Sequence, residues 1–269
     1  MKSLQPAKRV TLGSAVRAEF QKARRSAALR VAIVAPTVLI SLALALTMST
    51  TNVPSAVAYN FCLSVWNWWY CLFLPGMVGV MASSLMQLDG SQGLRGVLGA
   101  PGSLAPTFVA KVLFGVAMLL LPTLIVALAS VLVPWALGSA GMPLPNALLA
   151  TLLITLTGAW LVPVALALAA RFGMLAGFAV TFLLDEMFGA FGWQLGFAGV
   201  AIPSAVRLLA MTPVLGIMPN GLAYDASSPY AAFVSDSLGT YGVGIAVCVV
   251  VFVAVTAVAS WAFSKREAR

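Results

Sequence analysis

Long apolar runs separated by short polar stretches order this chain. Runs at 31–48, 61–85, 112–137, 147–170 and 241–263, and another that opens at Phe172, each approach or exceed the length of a membrane helix. About 20 apolar residues cross a hydrocarbon core roughly 30 Å thick, at 1.5 Å per helical residue. The pattern predicts an all-α membrane protein of six transmembrane helices, because lipid offers the backbone no partner and each span must satisfy its own N–H and C=O groups. Pro75, Pro122, Pro134 and Pro163 fall inside these runs. Membrane helices tolerate proline where neighbours take up the freed carbonyl.

Three segments break the rhythm. In 11–29, Leu12, Val16, Phe20 and Ala23 recur at helical spacing with Ala27 one turn on, while Arg17, Lys22, Arg24 and Arg25 fill much of the remainder. This predicts an N-terminal amphipathic helix lying in the membrane interface; a plain basic anchor before the first span has the same charge. Ala56-Val57-Ala58 after an apolar run also suits a cleaved signal, but the basic and apolar regions are both longer than a secretory signal's. Residues 86–111 predict a cytoplasmic loop whose middle forms a short helix ended by Gly99 and Pro101. The segment 191–240 is apolar yet interrupted by Gly192, Gly196, Gly199, Pro203, Pro213 and Pro219, which predicts re-entrant or interfacial helices between the fifth and sixth spans. The chain, 1–269, then reads as a single transmembrane domain with a cytoplasmic lead-in over 1–30.

Charge orients this layout. Eight of the 15 basic residues precede position 31, and Lys265, Arg266 and Arg269 close the chain. With both termini cytoplasmic, every Lys and Arg except Arg207 lies inside, as the positive-inside rule requires. Composition agrees: 8% of residues are charged and 61% hydrophobic. A soluble domain carries about 25% charged residues. Basic residues that flank apolar runs face an anionic leaflet, not nucleic acid.

Chemistry is excluded more than it is suggested. The chain has no histidine, which removes the commonest general base and metal ligand. No lysine follows a glycine, so there is no phosphate loop. Tyr224-Asp225 has no second aspartate in a matching context, so an intramembrane aspartyl protease is not supported. The expectation is a chain that is not itself an enzyme and binds no cofactor. The three cysteines lie in apolar stretches as packing residues, and Met77 and Met81 read as gap-fillers rather than metal ligands.

The polar residues inside the spans are the candidates for function. Asp185 and Glu186 lie about 20 Å into a span that opens at Phe172. Adjacent carboxylates there need a cavity or a partner. Arg207 is the natural partner, in a structural pair or in contact with a substrate. Trp66-Asn67-Trp68-Trp69-Tyr70 falls near the outer end of the second span. It reads as an interfacial aromatic belt or as a surface for an amphipathic substrate, with Trp66, Asn67 and Trp69 as its contacts. Gly173 and Gly177 at GxxxG spacing, with Gly189, Gly192 and Gly196 beyond, predict close helix packing within the chain or against a second subunit.

The order of parts resembles a known family. It runs from Glu19-Phe20-Gln21-Lys22-Ala23-Arg24-Arg25-Ser26 to a first span with Pro36, then Asp89-Gly90, then Gly99-Ala100-Pro101-Gly102-Ser103, with Lys111 opening the third span. This layout resembles the type-2 permeases of ABC transporters. Pro203-Ser204-Ala205-Val206-Arg207-Leu208 and Met211-Thr212-Pro213-Val214-Leu215-Gly216-Ile217-Met218-Pro219-Asn220-Gly221 are similar to the outer stretch of bacterial lantibiotic self-immunity permeases. The resemblance implies a plasma-membrane exporter of antimicrobial peptides, working with a second permease and two copies of a cytoplasmic ATPase that holds the ATP and Mg. It also implies that the ATPase docks on the lead-in helix and the first cytoplasmic loop, through Glu19, Lys22, Arg24, Asp89, Leu94, Arg95 and Leu98. Asp89 stands where the family often has glutamate. Other amphipathic drugs, lipids or polysaccharides are alternative substrates, and a channel or a non-transporting scaffold are alternatives of another class.

Overall fold

The computed structural model describes residues 11–23, 26–90, 104–228, 231 and 238–265. Helix α1 (Leu12–Ala23) precedes α2 (Ala27–Thr50), whose first turn is capped by the Ser26 hydroxyl accepting from the Leu29 N–H. The second span is α3 (Pro54–Trp68), a π-helical turn (Trp69–Phe73) and α4 (Leu74–Gly90) in one run. Then follow α5 (Ala105–Ala136), α6 (Leu144–Gly158), α7 (Leu161–Phe172), α8 (Met174–Gly192), a 3₁₀ segment (Trp193–Ala201), α9 (Pro203–Leu215) and α10 (Leu238–Ser264). Among the described residues the only extended pairing is the single bridge Ile217–Ala223.

Among the described residues, five stretches are each long and apolar enough to cross a membrane, and α6 with α7 makes a sixth as a span bent by 41°. The bend has a local cause. Pro163 offers no N–H to the Ala159 carbonyl, which accepts from Val162 three residues on instead. The second span opens at Pro54, seven residues before the expected start, because proline is well placed at the first helical position. Helices also run into the expected 86–111 loop from both sides, α4 to Gly90 and α5 from Ala105. The short helix expected over 91–98 lies outside the described residues.

Between the fourth and fifth spans a single residue turns the chain. Gly173 has φ +89°, a conformation that side-chain-bearing residues resist, so the fifth span starts at Met174. The resulting α7–α8 hairpin packs on α4 at very short range. A Cβ on Gly79 would sit 2.9 Å from the Phe178 Cα, and one on Gly177 2.5 Å from the Ser83 Oγ and 2.7 Å from the Ala169 Cβ. The small-residue stripe is thus used inside the chain. Gly189 and Gly192 continue it against α9, near Ser204 and Ala205.

Helix α9 answers the expectation for the segment before the last span. With 13 residues it is too short to cross a bilayer, and nearly all of it is buried among α6, α8 and α10. Gly216, in the left-handed conformation, ends it, and a tight turn follows in which Gly221 donates to the Met218 carbonyl and Met218 to the Leu222 carbonyl. One end of the bundle carries Arg30, Lys111, Arg171 and Lys265 at the starts of α2 and α5 and the ends of α7 and α10. The ring contact of Phe108 with Phe263 brings the last two of those helix ends beside the start of α5. Arg207 stands apart from them, beside Tyr70 midway along the second span.

Candidate functional site

Arg207 projects from the first turns of α9 and is 1% exposed. Its Nη1 donates to Asp185 Oδ1 at 3.2 Å and its Nη2 to Asp185 Oδ2, a fork-to-fork pair with a carboxylate on α8 that is equally buried. Its Nε donates to the Tyr70 carbonyl at 3.0 Å. That carbonyl is open for a reason written in the sequence. In the π turn the Leu74 N–H reaches back five residues to the Trp69 carbonyl. The next donor in that register would be residue 75, a proline with no N–H. Pro75 and the π turn orphan one carbonyl at membrane depth, and the guanidinium satisfies it. Three segments distant in sequence are thereby pinned at one point.

Glu186 neighbours this pair without joining it. Its side chain is half-buried, and its Oε1 has no hydrogen-bond partner among the described residues. The expected partnership of Arg207 therefore resolves in favour of Asp185, both of whose oxygens it takes.

The aromatic run does not form a lipid-facing belt. Trp66, Trp69 and Tyr70 are fully buried in protein. Positions i, i+3 and i+4 share one helix face, and that face turns inward: Trp69 Nε1 donates to the Thr123 hydroxyl on α5 at 3.2 Å. Trp66 and Trp69 are thus removed from any surface a substrate reaches in this conformation. Asn67 and Trp68 point elsewhere. They line a pocket of about 370 Å³ with Thr47 and Thr50 of α2, Asn60 and Ser64 of α3, and the turn at Gly221. Gly221 lies directly on the Asn67 amide: a Cβ there would be 2.4 Å from Nδ2. Asn67 Oδ1 accepts from Cys71 Sγ at 3.4 Å. Sequence reading missed Asn60, Ser64, the hydroxyls of α2 and the turn; for Asn60 and Ser64 the signal was their helical spacing with Asn67 along one face.

Asp225, in the same loop, has no partner carboxylate among the described residues and caps its own turn. The Ser227 N–H and hydroxyl both donate to Oδ1 at 2.8 Å and hold the carboxyl below its ordinary range.

At the basic end, α1 packs on α5 and α2. Ala15 and Glu19 face the protein, while Leu12 and Phe20, expected in one apolar stripe, are largely exposed, Phe20 touching the ring of Phe114 with one edge. Glu19 Oε2 accepts from Lys111 Nζ at 2.9 Å and its Oε1 from Lys22 Nζ at 3.1 Å. Glu19, expected to face a partner protein, is 2% exposed and ties α1 to the third span. Its attraction to Lys111 was not legible, because 92 residues separate them. Lys22 remains on the outer side of α1, and Asp89 lies in the last turn of α4. Arg24, Leu94, Arg95 and Leu98 lie outside the described residues.

These features define a class: a polytopic membrane protein with two buried ion pairs between its helices and a pocket at the end away from its cationic rim. The family of ABC-2 family transporter proteins matches residues 15–192, well over half of the chain, and the chain belongs to it. It is therefore a permease of an ABC transporter, a membrane subunit whose family implies a partner ATPase. No curated protein and no solved structure matches the chain. Helix α9 with Arg207 lies beyond the matched span.

Proposed function

We propose that this permease exports cationic, lantibiotic-type antimicrobial peptides from the outer leaflet of a bacterial plasma membrane, protecting the cell that carries it. Both termini face the cytoplasm. Two copies of a cytoplasmic ATPase, which bind the ATP and Mg, dock on α1 and the 86–103 loop, and a second permease completes the passage. The observation that carries the reading is the pocket at Asn67. It lies at the end of the bundle opposite Lys111 and Arg171, between the far end of α2 and the start of the second span. Its walls mix hydroxyl and amide groups with Leu46, Leu63 and Leu222, and Leu42, Leu46 and Tyr59 nearby are exposed. A lining both apolar and polar suits an amphipathic molecule that arrives sideways from lipid. ATP drives export only if the two conformations differ in affinity for that molecule.

The test is expression with its ATPase in a peptide-sensitive bacterium. Survival should rise, and cell-bound peptide should fall, only when both subunits are present and the ATPase is active. Peptide retention that is indifferent to the permease defeats the peptide reading.

A further inference from the structure

Helices α7 and α10 pack against each other, yet a slot of about 160 Å³ stays open at their ends. Each lines it with alanines three residues apart, Ala167 and Ala170 on α7, Ala259 and Ala262 on α10. Positions i and i+3 share a helix face, and a methyl group is too short to fill the space between two such faces. Phe108 of α5 and Phe263 of α10 complete the wall, their ring centroids 5.5 Å apart. Every lining side chain is apolar except one, Arg171 in the last turn of α7.

Arg171 is exposed, and among the described residues no carboxylate engages it. Its neighbours place it where lipid tails give way to headgroups. Phe172 and Leu175 just beyond it are exposed. On α10 the exposed Trp261 adjoins Ala262 and carries Lys265 Nζ over its ring at 3.8 Å. Tryptophan and a lysine that reaches back along the helix end are side chains of the membrane interface.

We infer that this slot holds an acyl chain of an anionic phospholipid whose phosphate is bound by Arg171. The guanidinium takes phosphate oxygens in a fork geometry, and the chain fills the alanine-lined space. Basic pockets between spans retain acidic headgroups in this way. A free phosphate would satisfy Arg171 and leave the slot empty. An acidic segment of the ATPase would meet the guanidinium from water and leave the slot empty too. Lys265, at the end of α10, adds positive charge, so the site favours a headgroup of net negative charge over a zwitterionic one. The site holds whatever the permease exports.

The experiment uses the purified full-length permease in detergent, with phosphatidylglycerol and phosphatidylcholine of the same acyl chains as probes. Bound lipid is read by native mass spectrometry across a concentration series. The wild-type protein should take phosphatidylglycerol at a concentration about tenfold lower than phosphatidylcholine, as a hydrogen bond between charged groups provides. Arg171→Gln should bring the two lipids nearly level. Arg30→Gln, which removes a charge from the same end of the bundle, should leave the preference intact. Ala262→Leu fills the slot without touching the charge and should weaken the binding of both lipids. Arg171 and Ala262 are exposed, so both variants should fold, and their unfolding temperatures without added lipid check this. An unchanged preference in Arg171→Gln overturns the assignment. If that variant binds lipid normally but no longer co-purifies with the ATPase, the guanidinium belongs to the partner protein instead. Phosphatidylglycerol binding that survives Ala262→Leu unchanged would reduce the site to an anion contact open to free phosphate, and overturns the lipid assignment as well.

Discussion

Arg207 on α9 and Asp185 on α8 form a bidentate ion pair that is closed off from solvent, and the same guanidinium takes the Tyr70 carbonyl that the π turn and Pro75 leave open. Removing one charge strands the other in an apolar interior, at a cost of about 3–5 kcal/mol. Arg207→Gln and Asp185→Asn should each lower thermal stability in detergent sharply. The double variant should recover much of the loss, whereas Arg207→Gln combined with Glu186→Gln should not. Additive losses in the first double-mutant cycle would remove the pair from the architecture. Arg207→Lys should also fail to restore wild-type stability, since an ammonium cannot bridge two carboxylate oxygens and a carbonyl in this fork geometry.

At the other end, Glu19 and Lys111 make a second buried pair, with Lys22 on its rim. Its loss should free α1 rather than unfold the bundle. Lys111→Met leaves the Glu19 carboxylate buried beside an apolar side chain, and limited proteolysis should then cut within α1 well before wild type. Glu19→Gln added to Lys111→Met should return protection close to the wild-type rate. Equal cleavage in all three forms would mean that the pair does not hold the helix.

Close helix contact gives a steric prediction. Gly177 leaves no room: an added Cβ meets Ser83 Oγ, the Ala169 Cβ and the Ala165 carbonyl within 3.0 Å. Gly177→Leu should force α8 off α4 and α7 and cost at least about 1–3 kcal/mol, read as a lower unfolding temperature. Gly13→Ala, with nothing within 4 Å, is the control, and helix propensity should make it neutral or slightly stabilising.

The spans were legible because the bilayer imposes a length and a composition that any sequence shows directly. Arg207 could be matched in advance with the couple Asp185–Glu186, because an ion inside a span must find an opposite charge and only one basic residue lay on that side, but which carboxylate it takes could not be read. The faces of the helices were not legible. Most of the second span is apolar, and Asn60, Ser64 and Asn67 on one face do not say which of its other sides meets lipid; Trp66 and Trp69 were placed at an interface and lie in the core. Polar contacts made across long separations, Glu19 with Lys111 and Trp69 with Thr123, left no local signal. Pro75 was visible, but which carbonyl it would orphan depended on a π turn that no residue pattern announces.

The turn over the pocket offers a last test, because Gly221 is constrained twice. Its φ of +83° disfavours any side chain, and its missing Cβ is what lets the turn lie on the Asn67 amide. Gly221→Ala should therefore lose about 1–2 kcal/mol through backbone strain and be pushed off Asn67. Asn67→Ala makes room for the new methyl but leaves the strain, so the double variant should regain only part of the stability. Transport separates the two constraints. If the turn shapes the pocket, Gly221→Ala should raise the peptide concentration for half-maximal ATP turnover, and adding Asn67→Ala should not restore it, because the amide is itself part of the lining. Unchanged peptide response in Gly221→Ala, at a demonstrably lower unfolding temperature, would show that the turn supports the fold and has no part in receiving substrate.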